Sequence, residues 1–121
     1  MQRQIQKPLH ETFNDGVLQY GHKTTQRTVT KKRIGEIFTP TGTLYFKEMS
    51  YRESDYQMAN TLGSRLDLKV KTPYPPSFRK NDKNKLVVLI DGQEFETIHV
   101  DHDLAKKYLF FYLQKVGGQN E

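Results

Sequence analysis

Residues 86–100 read Leu86-Val-Val-Leu-Ile90-Asp91-Gly92-Gln-Glu-Phe95-Glu-Thr-Ile98-His-Val100, and their reading decides the fold. Five consecutive apolar residues, Leu86 to Ile90, have the length of a strand covered on both faces. Asp91-Gly92 is the two-residue signal of a tight hairpin, because both positions must accept a positive φ. The chain therefore returns antiparallel from Gln93 to Val100. Phe95 lies on one parity and Ile98 and Val100 on the other, so the returning strand is expected to carry a bulge.

Working outward, the stretch Lys106 to Val116 is expected to be the last strand. Its Leu109, Phe111 and Leu113 alternate with Tyr108, Phe110 and Tyr112, so it is apolar on both faces. One face can fill a core, and the other needs a cover, either the inserted helix described below or a neighbouring subunit. Upstream, Leu66, Leu68 and Val70 alternate with Arg65, Asp67, Lys69 and Lys71, which predicts a strand with one buried and one wet face, ended by Pro73-Tyr74-Pro75-Pro76. Ser50-x-x-Glu53 has the form of a capping box, and Ser54-x-x-Gln57 offers a second start. With Met58, Ala59 and Leu62 on one side and Gly63 as a left-handed cap, a short helix is expected over about residues 52–62. Nearer the N-terminus, Val17 to Tyr20 and Ile34 to Phe38 read as short strands, the latter ended by a Pro40-Thr41-Gly42 turn. Leu44 begins another strand, which ends or bulges near Lys47-Glu48. Between them, His22 to Arg33 reads as a mobile loop or exposed strand edge.

The expected fold is all-β and mainly antiparallel: a small β-barrel or sandwich of about five to seven strands with one short inserted helix, since short strands must close or cover their edges. Residues 13–116 would form one domain, with a flexible arm at 1–12 and a tail at 117–121. Composition agrees. The 121 residues suit one domain. Two alanines stand against 14 aromatic residues, seven Tyr and seven Phe, which favours strands over a helical bundle. The hydrophobic fraction is 35% and the mean hydropathy −0.80, so a small core with long polar segments is expected.

Several classes of function are excluded or disfavoured. There is no cysteine, hence no disulfide or thiolate metal site. No apolar run approaches the roughly 18 residues of a membrane span. The segment Met1 to Glu11 lacks the apolar region of a secretory leader, so the chain is expected to stay in the cell that makes it. No phosphate-binding glycine loop, dinucleotide fingerprint, nucleophile elbow or zinc-protease motif occurs, so no enzyme and no cofactor are expected. His99, Asp101, His102 and Asp103 are metal-ligating residue types in one run, but no remote ligand accompanies them, and a polar turn is the expected meaning.

Charge is the functional signal. The net charge is +5, and it is arranged in blocks. Lys23, Arg27, Lys31, Lys32 and Arg33 fall in one stretch without an acid. A second basic stretch, which opens at Lys69, carries Lys71, Arg79, Lys80, Lys83 and Lys85. Asp91, Glu94, Glu96, Asp101 and Asp103 fall in a stretch with no Lys or Arg. Cationic loops can lie along phosphates without reading sequence. Alternatively, the basic loops of one subunit can meet the acidic residues of the next in a head-to-tail ring.

The order of these motifs carries a resemblance. Phe13-Asn-Asp15-Gly16 is followed by Leu44-Tyr-Phe46-Lys-Glu-Met-Ser-Tyr51-Arg52-Glu53-Ser-Asp55, then a helix, then Arg65-Leu-Asp67-Leu-Lys69-Val-Lys71. The hairpin Leu89-Ile-Asp91-Gly92-Gln-Glu-Phe95-Glu-Thr-Ile98, Asp101-His-Asp103 and the aromatic strand Tyr108-Leu-Phe-Phe-Tyr112-Leu113 close the series. From Phe13 to Val116 this resembles the head closure proteins of long-tailed bacteriophages, also called stopper or head–tail joining proteins. The resemblance implies a small β-barrel in the neck of the virion, assembled in the host cytoplasm as a ring of identical subunits. Its partners would be the portal or adaptor protein above, a tail-completion or tail-tube protein below, and packaged double-stranded DNA. It would retain the DNA and form the docking surface for the tail, with a loop closing the channel. Lys23, Arg27, Lys31, Lys32 and Arg33 would be the first candidate contacts with DNA or adaptor, the Lys71 to Lys85 group the second, and the acidic residues an inter-subunit patch. The residues themselves leave another class open: a monomeric single-strand nucleic-acid-binding barrel of OB type, using Tyr45, Tyr74 and Phe78 as stacking platforms.

Overall fold

The computed structural model of the chain describes residues 12–27, 33–81, 83 and 85–116. Among the described residues there are six strands: β1 (Gly16–Arg27), β2 (Arg33–Glu48), β3 (Leu68–Pro73), β4 (Val87–Ile90), β5 (Gln93–His102) and β6 (Tyr108–Lys115). A helix, α1 (Glu53–Thr61), lies between β2 and β3, and a 3-10 turn, Pro76–Lys80, lies between β3 and β4. Every neighbouring pair is antiparallel, and the sheet closes on itself in the order β1-β2-β3-β6-β5-β4. The all-β, mainly antiparallel class with one inserted helix is the observed one.

The deciding stretch behaves as its residues dictate. Asp91 (φ 50°) and Gly92 (φ 79°) make the two-residue turn, with Ile90 facing Gln93 across the hairpin. The bulge in β5 falls between Thr97 and His99. Inside the closed sheet, Leu18, Tyr20, Phe46, Val70, Val88, Phe95, Leu109, Phe111 and Leu113 form one core cluster. Each such apolar side chain contributes about 1.5–3 kcal/mol when removed from water.

The other face of β6 is covered by α1. Tyr112 packs with Ala59 and Leu66, and Met58, Tyr51, Ile98 and Phe110 lie against them. The helix starts at Glu53, and Ser50 does not cap it: the Asp55 carboxylate accepts the Arg52 amide at 2.9 Å instead. Gly63 (φ 71°) ends it as expected, whereas Leu62 points away from the sheet and is 54% exposed.

Three expectations are corrected. First, β3 runs over Leu68–Pro73, and its outer face is not simply wet. Lys69 is buried because α1 brings Asp55 to it, with Nζ 3.0 Å from Oδ2 and the ammonium 5.2 Å from the Tyr112 ring centre. Second, β1 does not stop at Tyr20 but continues to Arg27. Third, Ile34–Phe38 and the Leu44 segment are one strand, and Pro40-Thr41-Gly42 is a bulge within it. Tyr20 pairs with Gly42 and Gly21 with Pro40, leaving Thr41 as the extra residue. The residue types explain the bulge. A Cβ on Gly21 would stand 2.1 Å from the Thr39 carbonyl oxygen, and one on Gly42 would stand 2.5 Å from the Tyr20 hydroxyl. Pro40 is tolerated because β2 has no ladder partner on its other edge there among the described residues.

Candidate functional site

Antiparallel closure fixes which connections share an end. The ends of β1, β3 and β5 and the starts of β2, β4 and β6 lie together at one end of the ring. That end carries the β1–β2 excursion, the β3–β4 connection (residues 74–86) and the β5–β6 turn (residues 103–107). The opposite end carries the α1 connection and the Asp91-Gly92 turn.

The excursion is a two-stranded ribbon. β1 pairs with β4 only through Gln19, Tyr20 and Gly21, and β2 pairs with β3 only through Lys47 and Glu48. Beyond those positions β1 and β2 are each other's ladder partner, from His22 with Thr39 to Arg27 with Arg33. The ribbon thus extends past the closed part of the sheet. Lys23, Arg27 and Arg33 are placed along it. Lys31 and Lys32 lie outside the described residues.

The other two connections at this end are cationic. Arg79, Lys80, Lys83 and Lys85 are exposed on the β3–β4 connection, and Lys106 and Lys107 are exposed on the β5–β6 turn. In those two loops Asp103 is the one described acidic residue, and it is turned into its own backbone. Its Oδ1 accepts the Lys107 amide at 2.7 Å and the Tyr108 amide at 2.9 Å, and its carbonyl accepts the Lys106 amide at 3.0 Å. The Tyr108 amide above all, with that of Lys107, holds the Asp103 carboxyl below the usual carboxylate range. The carboxylate therefore stays charged while serving the turn. The ribbon that carries the described members of the first basic stretch and the connection that carries Arg79, Lys80, Lys83 and Lys85 of the second leave the same end, and Lys106-Lys107, which sequence reasoning did not single out, joins them. The signal was available: two adjacent lysines in the turn between two strong strands.

The connection 74–86 is anchored rather than loose. Phe78 is completely buried, edge-on to Tyr20 at 5.2 Å, to Phe111 at 5.9 Å and to Tyr74 at 6.2 Å. It closes this end of the core, and Lys83 lies 5.1 Å over its ring. Phe78 is thus not a stacking platform for a base. Tyr74 is half-buried against it and against His102, while Tyr45 is 64% exposed on the outer wall.

The remaining candidates are dispersed. Lys71 lies on the wall in β3, its ammonium 4.2 Å from the Tyr108 ring centre and 5.8 Å from that of Phe110. The acidic residues do not form one patch. Asp91 is at the opposite end, Glu94, Glu96 and Asp101 follow β5, and Asp103 is in the turn. Glu94 meets Lys23 of the same chain at 2.6 Å, so one member of the acidic set is already matched with a member of the basic set within the subunit. Side chains of both are about a third exposed, so this pair contributes about 0–1 kcal/mol. His99 packs against Tyr112, the Asp101 carboxylate accepts the His102 amide, and His102 Nδ1 lies 2.8 Å from the Asp103 carbonyl oxygen. No group of three or more His, Asp or Glu side chains is arranged to hold a metal among the described residues. No described helix is long and apolar enough to cross a membrane.

No family model matches the sequence, and no curated protein matches it. Among solved structures the chain is similar to the solution structure of protein SF1141 from Shigella flexneri 2a, a structural genomics target. The TM-score is 0.63 at 11% sequence identity, over 88% of this chain and 96% of that one. The likeness is one of fold.

Proposed function

We propose that this chain is a structural protein of a bacteriophage neck, a head closure or head–tail joining subunit that acts as one member of a ring around the DNA channel. The observation that supports this reading is the polarity of the closed sheet. A long ribbon and two cationic loops leave one end together, while the opposite end carries the compact Asp91-Gly92 turn and the helical connection. A cationic end suits contact with phosphates that reads no sequence. In this reading the ribbon and rim face the packaged DNA or the adaptor, and the walls face neighbouring subunits. The tail protein docks on the assembled ring. The role is one of assembly and DNA retention, without catalysis or a cofactor, in the virion.

The burial of Phe78 removes one of the three rings, with Tyr45 and Tyr74, on which the single-strand-binding barrel would stack bases. The experiment is reconstitution. The purified chain is added to DNA-filled heads bearing portal and adaptor but no tail, and particles are imaged and assayed for nuclease-accessible DNA. Rings at the adaptor and protected DNA are the expected result. A chain that leaves the heads bare and leaking removes the reading.

A further inference from the structure

Among the described residues, three other than glycine have a left-handed backbone: Asp91 (φ 50°), Lys85 (φ 57°) and Lys106 (φ 58°). Asp91 is explained by its hairpin, where such a residue type is favoured. Lysine has no such excuse. A side chain with a Cβ is strained there, and glycine or asparagine would be the ordinary choice. Both strained lysines are exposed, and both lie on the same cationic end, Lys85 just before β4 and Lys106 just before β6. Neither is held there by burial. Strain kept at exposed charged positions points to what those charges do.

We propose that Lys85 and Lys106 are contacts for the phosphate backbone of double-stranded DNA, kept as lysine at the expense of local stability. This rests on the reading of the cationic end as the end that faces DNA. The surrounding structure fits a preformed contact. Lys106 sits in a turn locked by the Asp103 carboxylate and carbonyl, and Lys107 is beside it. Lys85 directly precedes Leu86, which is 1% exposed in the core, so its backbone is anchored. An ammonium presented from a fixed backbone gives up less freedom on binding than one on a loose loop. Arg79, Lys80, Lys83 and Lys107 extend the same surface. A lysine that meets a phosphate releases a counterion, so its share of binding is read directly from salt dependence.

The test combines two readouts on Lys85→Gly, Lys106→Gly and the double variant, with Lys85→Asn and Lys106→Asn as a second set that keeps a side chain. Thermal melting should show each variant as stable as the parent or more so, because the strain is relieved. Titration of a 30-base-pair duplex from low to moderate salt should show weaker binding. The slope of log K against log salt should be less steep by about 0.9 for each lysine removed. Higher stability with an unchanged slope overturns the proposal. So does a lower melting temperature, since the lysines would then be structural. If Arg79→Ser with Lys80→Ser flattens the slope and the two strained positions do not, the DNA-facing reading survives and this inference fails. If the parent chain does not bind the duplex, or binds single strands in preference, both fail.

Discussion

The wall under α1 and the cationic end use the same residue types to opposite purpose. Under α1, Lys69 and Asp55 are both nearly sealed from water, 3.0 Å apart, with Tyr112 beneath the ammonium. Burial alone would raise the Asp55 pKa. The Arg52 amide and then Lys69 reverse that and hold the carboxyl below its ordinary value. At the other place, Arg79, Lys80, Lys83, Lys85, Lys106 and Lys107 stand in solvent. The first set of charges is consumed by the fold, and the second is left available. A lysine's number in the sequence says nothing of which set it joins. What distinguishes the two is whether another element is laid over the strand.

The comparison breaks most sharply at Lys69. Lys69→Met should cost about 3–5 kcal/mol, because it strands a buried carboxylate, while the double variant with Asp55→Asn, which removes the charge but keeps an oxygen to accept the Arg52 amide, should recover most of that loss. Chemical denaturation of the four proteins measures it. A single variant as stable as the parent would mean that the wall is as solvated as the rim.

Acid gives the next effect. The folded pKa of Asp55 is depressed, so the stability it contributes is complete above the ordinary carboxyl value. It falls as the pH drops past that value and is lost below the depressed one. The stability difference between the parent and Asp55→Asn should accordingly shrink in urea titrations carried from neutral pH into strong acid. A difference that stays constant with pH would place its origin in packing rather than charge.

The smallest effect belongs to the rim. Arg79→Ser and Lys80→Ser should each change stability by no more than about 0.5 kcal/mol, as exposed positions do. A larger loss in thermal melts would show these side chains to be part of the fold.

Much of the architecture was legible in the residues. Asp91-Gly92, the apolar run before it and the parity change after Phe95 fixed a bulged antiparallel hairpin, and the double alternation of β6 required a covered outer face. The errors have one physical root. Pro40-Thr41-Gly42 has turn composition, yet Gly21 and Gly42 permit an approach of two backbones that makes it a bulge, and that approach is a property of both strands together. Likewise β1 continues past Tyr20 through polar residues, because β2 supplies its hydrogen bonds regardless of side chain.

The sequence by itself determined the antiparallel class, the hairpin, the existence of a short helix and the presence of segregated charge, since these follow from local periodicity, turn chemistry and composition. Only the tertiary structure decided that the ribbon and the connection carrying Arg79 to Lys85 leave the same end, that Lys106-Lys107 joins them, that Phe78 is core and that Lys69 is buried. Closure of the ring sets which loops are neighbours, and the placement of α1 sets which charges lose their water; both depend on contacts between residues far apart in the chain.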